Sequence, residues 1–179
     1  MSGNSTATLA RQRVHTRQIV CTGYARDDGL YDIEARMTDT KAHHSNLLFK
    51  EVPAGGAIHD MWLTITIDAD LVIRDAHSRT ETAPTPYCAE INDAYRKLIG
   101  VKIASGFMTE IKARVGGTKG CTHLTELLGP MATTAFQTIM GLRNGAPVGN
   151  GVPALPMLNG CHAWRADGEV VQLVRRRAA

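Results

Sequence analysis

The sequence lacks a long apolar run and any stretch of the secretory-signal type. Among its 179 residues, no apolar stretch approaches the ~20 residues that a helix needs to cross a bilayer. The opening MSGNSTATLARQRVHTRQ has no apolar core, which a signal peptide requires. We therefore expect a cytoplasmic protein with no membrane partner.

The sequence is also poor in metal and nucleotide motifs. Its four cysteines are scattered, at positions 21, 88, 121 and 161, without a CxxC pair. Without a signal peptide, reduced thiols are the expected state. No Walker loop, GxGxxG, HExxH or GxSxG is present, so nucleotide hydrolysis, dinucleotide redox and serine esterase chemistry have no support from motifs.

Charge of neither sign is in large excess. The formal net charge is +3, and part of it comes from the terminal arginines at 11, 13, 17 and 175–177. Proteins that bind nucleic acids present a basic face, often interleaved with aromatic residues, and no such face is present, so we expect no nucleic-acid partner. A hydrophobic content of 44% with 21% charged residues is typical of a globular domain.

Strand patterns dominate the first half of the chain. Residues 14–38 predict a hairpin with Asp28-Gly29 at its tip, because Asp-Gly favours a tight turn between strands. Residues 61–76 alternate apolar and polar on both sides of Asp68-Ala69-Asp70 and predict a second hairpin. The intervening 39–57 has Pro53 and Gly55-Gly56 and is typical of a long loop.

Helical patterns follow the strands. Residues 87–99 predict a helix stopped by Gly100, and a short helix begins near Ser105. The longest helix is 122–142, and because Pro130 lies inside it, a kink or break is expected near Leu128–Gly129. Residues 161–174 predict a last small hairpin or strand. Strands first and helices after indicate an α+β fold with a mainly antiparallel sheet.

The predicted domain organisation has four parts. We expect a disordered N-terminus over 1–13 and a single α+β domain over 14–143. Residues 144–174 are expected to form a connector and final strand or strands packed on the same domain, and 175–179 a basic tail.

Two thiols and an imidazole fall at predicted helix starts. Cys88 and Cys121 each lie just before a helix, and His123 lies in the first turn after Cys121. Backbone N–H groups at a helix start favour a thiolate, and Cys and His ligands suit zinc or iron. The interpretation is a metal site of Cys88, Cys121 and His123; the alternative is two core thiols and a histidine bonded to backbone.

Three side chains could take part in catalysis near these positions, His123 itself and two others. His123 could act as an acid or base, and Glu126 lies one turn further along the same helix face. His59 precedes the best-defined strand and could reach a site at the end of the sheet. A solvated glutamate and a surface histidine are the alternatives for Glu126 and His59.

The first hairpin turn offers a candidate substrate-binding group. Tyr24, Arg26 and Asp28 cluster there, and an arginine fork can bind a carboxylate. Turn chemistry with a surface ion pair is the alternative, and it is favoured.

Several phrases of the sequence resemble a known family. YARDDGLYDIEARMTDTK, IHDMWLTITID, RKLIGVKI and GCTHLTELLGPMATTAFQT resemble the uncharacterised bacterial family called domain of unknown function 2889. The resemblance covers roughly residues 14–165. It implies a small protein often encoded near genes for the breakdown of aromatic or steroid-like compounds.

The order of elements also resembles the iron–sulfur cluster scaffold fold. There, three cysteines with a nearby acid or histidine hold a cluster or zinc. Cys88 corresponds to the first scaffold cysteine and Cys121 to the last, while residues 89–120 contain no counterpart of the middle one. This resemblance implies a scaffold-like arrangement that lacks one thiol.

Three hypotheses of function follow. The first is a small catabolic enzyme, a lyase or hydrolase, that acts on an aromatic or polycyclic carbonyl or carboxylate compound. In it Cys88, Cys121 and His123 would bind zinc or iron, or one thiol would act with His123 or His59 as its base. The second is a scaffold or accessory protein for iron–sulfur or metal enzymes. The third is a non-catalytic module that binds a ligand or forms a homo-oligomer.

Overall fold

The computed structural model describes residues 10–142 and 158–178. These residues belong to two compact units, one ending at Ile139 and the other beginning at Met140. The first unit contains the strands β1 His15–Ala25, β2 Tyr31–Lys41, β3 Ser45–Asn46, β4 Glu51–Val52, β5 Ala57–Ile67 and β6 Ile73–Thr82.

Four of these strands form one antiparallel sheet in the order β1-β2-β5-β6, and β3 and β4 form a separate small hairpin. Each strand of the large sheet pairs with the next one of the four along the chain, so the sheet is a meander. The predicted α+β class with an antiparallel sheet is confirmed.

One face of the sheet is the core of the first unit. On β2 the residues Ile33, Ala35 and Met37 are fully buried, and Met61 and Leu63 opposite them on β5 are fully buried too. Successive side chains of a strand point to opposite faces, so this series of alternate apolar residues turns one face of both strands inward.

Four helical segments follow the sheet in the first unit, and the shortest is a 3₁₀ turn at Gly117–Lys119. A 3₁₀ helix spans Pro86–Leu98, α1 spans Phe107–Val115, and α2 spans Thr122–Leu142, whose last residues belong to the second unit. The 3₁₀ helix packs on β6, where the Ser78 hydroxyl donates to the Asn92 carbonyl at 3.0 Å. Tyr95 and Leu98 of this 3₁₀ helix are fully buried.

Helix α2 runs beside β1 in the same direction. Arg17 pairs with Glu126 near the start of both elements, and a Cβ placed on Gly23 would lie 1.9 Å from Thr138 Oγ1 near their ends. The twelve helical residues between these contacts rise about 18 Å and the six strand residues about 20 Å. The N-terminus of α2 therefore lies at the end of the sheet where β1 begins.

The second unit contains a 3₁₀ turn at His162–Trp164 and the helix α3 at Glu169–Ala178. The prediction of a final hairpin or strand over 161–174 is wrong for this segment. Asp167-Gly168 precedes a helix rather than forming a hairpin tip. Glu169 in the first turn and three arginines in the last turn complement the helix dipole, and this pattern outweighs the β-branched valines.

Three smaller predictions also differ from the structure. The predicted loop 39–57 contributes residues to β2 and β5 and holds the β3–β4 hairpin. The helix expected over 87–99 is a 3₁₀ helix that starts at Pro86. Helix α2 continues through Pro130 without a break. The predicted disorder of 1–13 falls mostly outside the described residues, as does the connector of 144–156.

Candidate functional site: a polar row ending an apolar sheet face

Three polar side chains on neighbouring strands form a row at one end of the sheet, on the face that is otherwise apolar. In the strand register Arg17 of β1 pairs with Asp39 of β2, and Asp39 pairs with His59 of β5. The neighbouring row along the same face is Ile19, Met37 and Met61. Asp39 and His59 thus occupy positions that the alternation reserves for core residues, and both are buried.

Asp39 is the acceptor at the centre of the row. Its Oδ1 accepts from Arg17 Nε at 2.9 Å and lies 3.2 Å from His15 Nε2. Its Oδ2 accepts from Arg17 Nη2 at 2.7 Å and lies 2.9 Å from His59 Nδ1. Burial raises the pKa of the Asp39 carboxyl, but the hydrogen bonds and charge of Arg17, helped by His59, outweigh it and lower this pKa to about 2. The carboxylate is therefore ionised at neutral pH.

The ionised Asp39 fixes the tautomer of His59. A carboxylate only accepts hydrogen bonds, so His59 Nδ1 carries the hydrogen and Nε2 carries the lone pair. His59 Nε2 is buried and has no hydrogen-bond partner among the described residues. Burial lowers the pKa of His59, and the nearby His123 lowers it further, despite the opposite effect of Asp39. His59 is therefore a neutral imidazole, and its Nε2 accepts no hydrogen bond from the described residues.

His123 covers this imidazole from the first turn of α2. The two ring centroids are 3.9 Å apart and the planes are tilted by 37°. Burial, and next the charge of Arg17, lower the pKa of His123. His123 also approaches a thiol, because its Nδ1 lies 4.0 Å from Cys121 Sγ.

Glu126 joins the group through Arg17. Its Oε2 accepts from Arg17 Nη1 at 2.5 Å, so one guanidinium bridges Glu126 on α2 and Asp39 on β2. Glu126 keeps 47% of its side chain exposed, whereas Asp39 keeps 1%. The arginine links helix to sheet, and both carboxylates occupy its donors.

Asp39, His59 and His123 could also hold a metal ion. Each offers one ligand atom, and these atoms all lie within 4.8 Å of one another. The oxygens of Asp39, however, already receive Arg17 and two histidines. Two imidazoles bound tetrahedrally to one zinc ion at normal distances would have ring centroids roughly 5 Å apart, more than the 3.9 Å observed. A metal ion would therefore fit this arrangement only after the two rings shift.

The structure brings some predicted site residues together and leaves others apart. His59, His123 and Glu126, named as candidates for catalysis, lie in or beside the polar row, and Cys121 contacts His123. Cys88 is not in the group of close ligand atoms found among the described residues. Its thiol instead lies 3.2 Å from the Thr85 hydroxyl.

The predicted substrate-binding group lies at the other end of the hairpin. Arg26 forms ion pairs with Asp28 and Asp32 in the exposed turn, and Tyr24 is 48% exposed. Asp32 and Asp39 are seven residues apart on β2, which corresponds to about 23 Å. Tyr24, Arg26 and Asp28 therefore have the contacts of a surface turn and do not belong to the polar row.

Asp39 and Arg17 were missed by the sequence interpretation. Asp39 was assigned to the loop after the first hairpin, although it continues the series Ile33, Ala35 and Met37 at the same spacing. A polar residue at the next position of a buried alternation is the signal that could have identified it. Arg17 has no such signal, because most of β1 is exposed.

The fold and this site define a small α+β protein with a buried Asp39–His59 pair, covered by the half-buried His123, at one end of an antiparallel meander sheet. The chain belongs to the family described as "Protein of unknown function (DUF2889)", whose model matches residues 15–137. No curated protein and no solved structure matches the chain. Across the part that the structure describes, no helix has the length and apolar character needed to cross a bilayer. The resemblance to the iron–sulfur scaffold stays a prediction.

Proposed function

We propose that the protein is an enzyme of small-molecule catabolism, a lyase or hydrolase, in which His59 accepts a proton from the substrate or from water. The observation that carries this proposal is the buried, unpartnered Nε2 of His59. Leaving a buried polar atom without a partner costs about 1–3 kcal/mol. A catalytic role is one of the reasons for which a native protein keeps such an atom.

The surroundings of His59 suit a general base. Its lowered pKa keeps it neutral at physiological pH, and Asp39 holds the ring by Nδ1. When Nε2 takes a proton, the carboxylate stabilises the imidazolium across that same hydrogen bond, as in other aspartate–histidine pairs. The proton comes from carbon beside a carbonyl in a lyase or from attacking water in a hydrolase.

Access to His59 depends on His123. Nε2 is shielded from solvent, and the His123 ring lies over the His59 ring. A substrate reaches Nε2 after His123 rotates, or it exchanges the proton through His123. Both routes give His123 a part in the same reaction. Glu126 holds Arg17 in place through its hydrogen bond to the guanidinium.

A cleft at the same end of the sheet supports an aromatic carboxylate or carbonyl compound as substrate. Its volume is about 430 Å³, within the range of small-molecule sites. Its lining includes Phe49, Lys50, Glu81 and the end of β6, but neither His59 nor His123. The cleft is placed near the polar row by the pairing of Thr82 of β6 with Asp60, the residue after His59. Phe49 offers an aromatic surface and Lys50 a positive charge for a carboxylate.

The experiment compares two histidine variants on a panel of aryl esters, aryl thioesters and aryl β-hydroxy acids. His59→Asn keeps a donor for Asp39 but removes Nε2, and His77→Asn alters an exposed histidine of β6. We expect kcat/KM of His59→Asn to fall by roughly 10²-fold or more, with His77→Asn unchanged. Equal activity of His59→Asn and the unmodified protein would contradict the proposal, provided that melting curves show both variants folded.

A metal-assisted version is the second candidate, and it is favoured by the close approach of ligand atoms from Asp39, His59 and His123. Zinc or iron would bind at His59 Nε2 and a nitrogen of His123, and it would activate water or polarise a carbonyl. Metal analysis of untagged protein tests it. About one zinc or iron per chain, lost in His59→Asn, supports this candidate, and a metal content far below one contradicts it.

A further inference from the structure

Cys121 is held rigidly beside His123. The hydroxyl of Tyr95, a fully buried residue, donates to the Cys121 carbonyl at 2.8 Å and accepts from the Cys121 amide at 3.1 Å. The Cys121 carbonyl also accepts from the Thr125 amide in the first turn of α2. These contacts fix the backbone that carries the thiol, and Sγ lies 4.0 Å from His123 Nδ1.

The thiol–imidazole pair continues into the polar row. His123 contacts the His59 ring, and His59 is about nine-tenths buried with an unpartnered Nε2. Cys121, His123 and His59, which can each carry a proton, therefore form a continuous series of contacts. The ionised Asp39 contacts the last member, His59. A nucleophile next to a base that is oriented by further groups is the general pattern of covalent catalysis.

We propose that Cys121 is a nucleophile for acyl transfer and that His123 is its base. This inference rests on the proposed function and narrows it to a hydrolase of esters or thioesters. His123 Nδ1 takes the thiol proton, and Sγ attacks the acyl carbon. An S–C bond forms and the bond to the leaving alcohol or thiol breaks, and the leaving group receives the proton from His123. Water, deprotonated by the same base, then cleaves the acyl–sulfur bond and restores the thiol.

Cys88 is a matched internal control. It is half-buried like Cys121, and it also lies near the start of a helical segment. Its neighbour is the Thr85 hydroxyl at 3.2 Å, which does not act as a base at neutral pH. A difference in reactivity between the two thiols therefore measures the effect of the His123 imidazole on Cys121. It does not measure an effect of burial or of a helix start, which the two thiols share.

The first test is competitive alkylation of the folded protein by iodoacetamide, followed by peptide mass spectrometry. We expect Cys121 to react on the order of tenfold faster than Cys88. The variant His123→Asn should bring Cys121 to the rate of Cys88, and His43→Asn, in an exposed loop, should leave it fast. Equal rates for Cys121 and Cys88 in the unmodified protein overturn the proposal.

The second test uses p-nitrophenyl acetate and looks for the acyl-enzyme. We expect a burst of nitrophenol and an acetyl group on the peptide that contains Cys121, both absent in Cys121→Ser and present in Cys88→Ser. Acetylation of other residues alone, or a Cys121→Ser variant with unchanged turnover, overturns it.

Failure of this inference is distinguishable from failure of the proposed function. If His59→Asn abolishes activity on the panel while Cys121→Ser retains it, the thiol is not the nucleophile but the base at His59 stands. If Cys121 is selectively acylated while His59→Asn keeps full activity, the inference stands and the role of His59 is wrong.

Discussion

Asp39 and Glu126 bind the same guanidinium, but their burial makes them unequal. An exposed ion pair contributes about 0–1 kcal/mol because water screens it, whereas removing one partner of a buried pair costs roughly 3–5 kcal/mol. Arg17 keeps 32% of its side chain exposed, so water can partly compensate its charge, and the lower part of that range applies. The site should depend on Asp39 far more than on Glu126.

Alanine substitution at these two carboxylates tests the difference. We expect Asp39→Ala to lower the free energy of unfolding by about 3 kcal/mol and Glu126→Ala to lower it by less than about 1 kcal/mol. Urea denaturation at neutral pH measures both. Equal losses would show that burial does not set the strength of the two pairs.

Individual residues differ in how far the sequence revealed them. His59, His123 and Glu126 could be named because His123 and Glu126 share a face at the start of a predicted helix and His59 precedes a clear strand pattern. Their grouping depends on the register between β2 and β5 and on the position of α2, which are long-range properties. Arg17 acts from a mostly exposed strand, where no local pattern marks it.

Gly23 and Thr138 set the distance between β1 and α2. A Cβ on Gly23 would lie 1.9 Å from Thr138 Oγ1 and 2.9 Å from its Cβ, so rotation of the threonine alone cannot make room. The absence of a side chain at Gly23 lets the helix approach the strand. The same approach brings the N-terminus of α2, with His123, to the polar row.

Substitution of Gly23 should therefore affect both stability and the site. We expect Gly23→Ala to cost about 1–3 kcal/mol through overpacking, measured by thermal or urea unfolding. Thr22→Ala on the exposed neighbour should stay within about 0.5 kcal/mol. A Gly23→Ala variant as stable as the unmodified protein would mean that α2 does not pack closely on β1.

Strands and helices could be predicted from the sequence where the apolar spacing and the flanking turn residues indicate the same element. Each half of the sheet was predicted as a hairpin from alternation and turn residues, and α1 and α2 were predicted from helical spacing and glycine stops. The segment 169–178 failed because three valines favour strand while its end charges favour helix. The nature of the segment 86–98 as a 3₁₀ rather than an α-helix has no clear signature in spacing.

Acid should destabilise the whole molecule in two stages. His59 and His123 have lowered pKa values in the folded state, so below about pH 6.5 the unfolded chain binds protons that the folded chain refuses. The pKa of Asp39 is about 2 in the folded state against the ordinary 3.8, so the unfolded chain again binds more protons as the pH falls from about 4 to about 2. Both effects lower stability as pH falls.

Urea unfolding at several pH values measures this dependence. We expect the free energy of unfolding to fall between about pH 7.5 and 5.5, and the fall should be smaller in His59→Asn. A further loss of about 2 kcal/mol should follow at lower pH, when Asp39 becomes protonated. An unfolding free energy that is constant between about pH 7.5 and 5.5 would contradict the lowered histidine pKa values.

At the scale of the whole molecule, class and family follow from the sequence, whereas the site does not. Strand and helix order sufficed for the α+β class, and the family match covers residues 15–137. The metal site expected at Cys88, Cys121 and His123 was argued from helix starts alone. Helix starts that are far apart in sequence need not be close in space, and here only Cys121 and His123 approach each other.

The most direct test of the central claim is the protonation state of His59 in the unmodified protein. Nitrogen-15 NMR at about pH 7.5 distinguishes a protonated from an unprotonated ring nitrogen, and the His59→Asn spectrum assigns the signals. We predict a hydrogen on Nδ1, an unprotonated Nε2, and a titration midpoint below the usual ~6.5. A hydrogen on Nε2, or a doubly protonated ring at that pH, would contradict a poised base at His59.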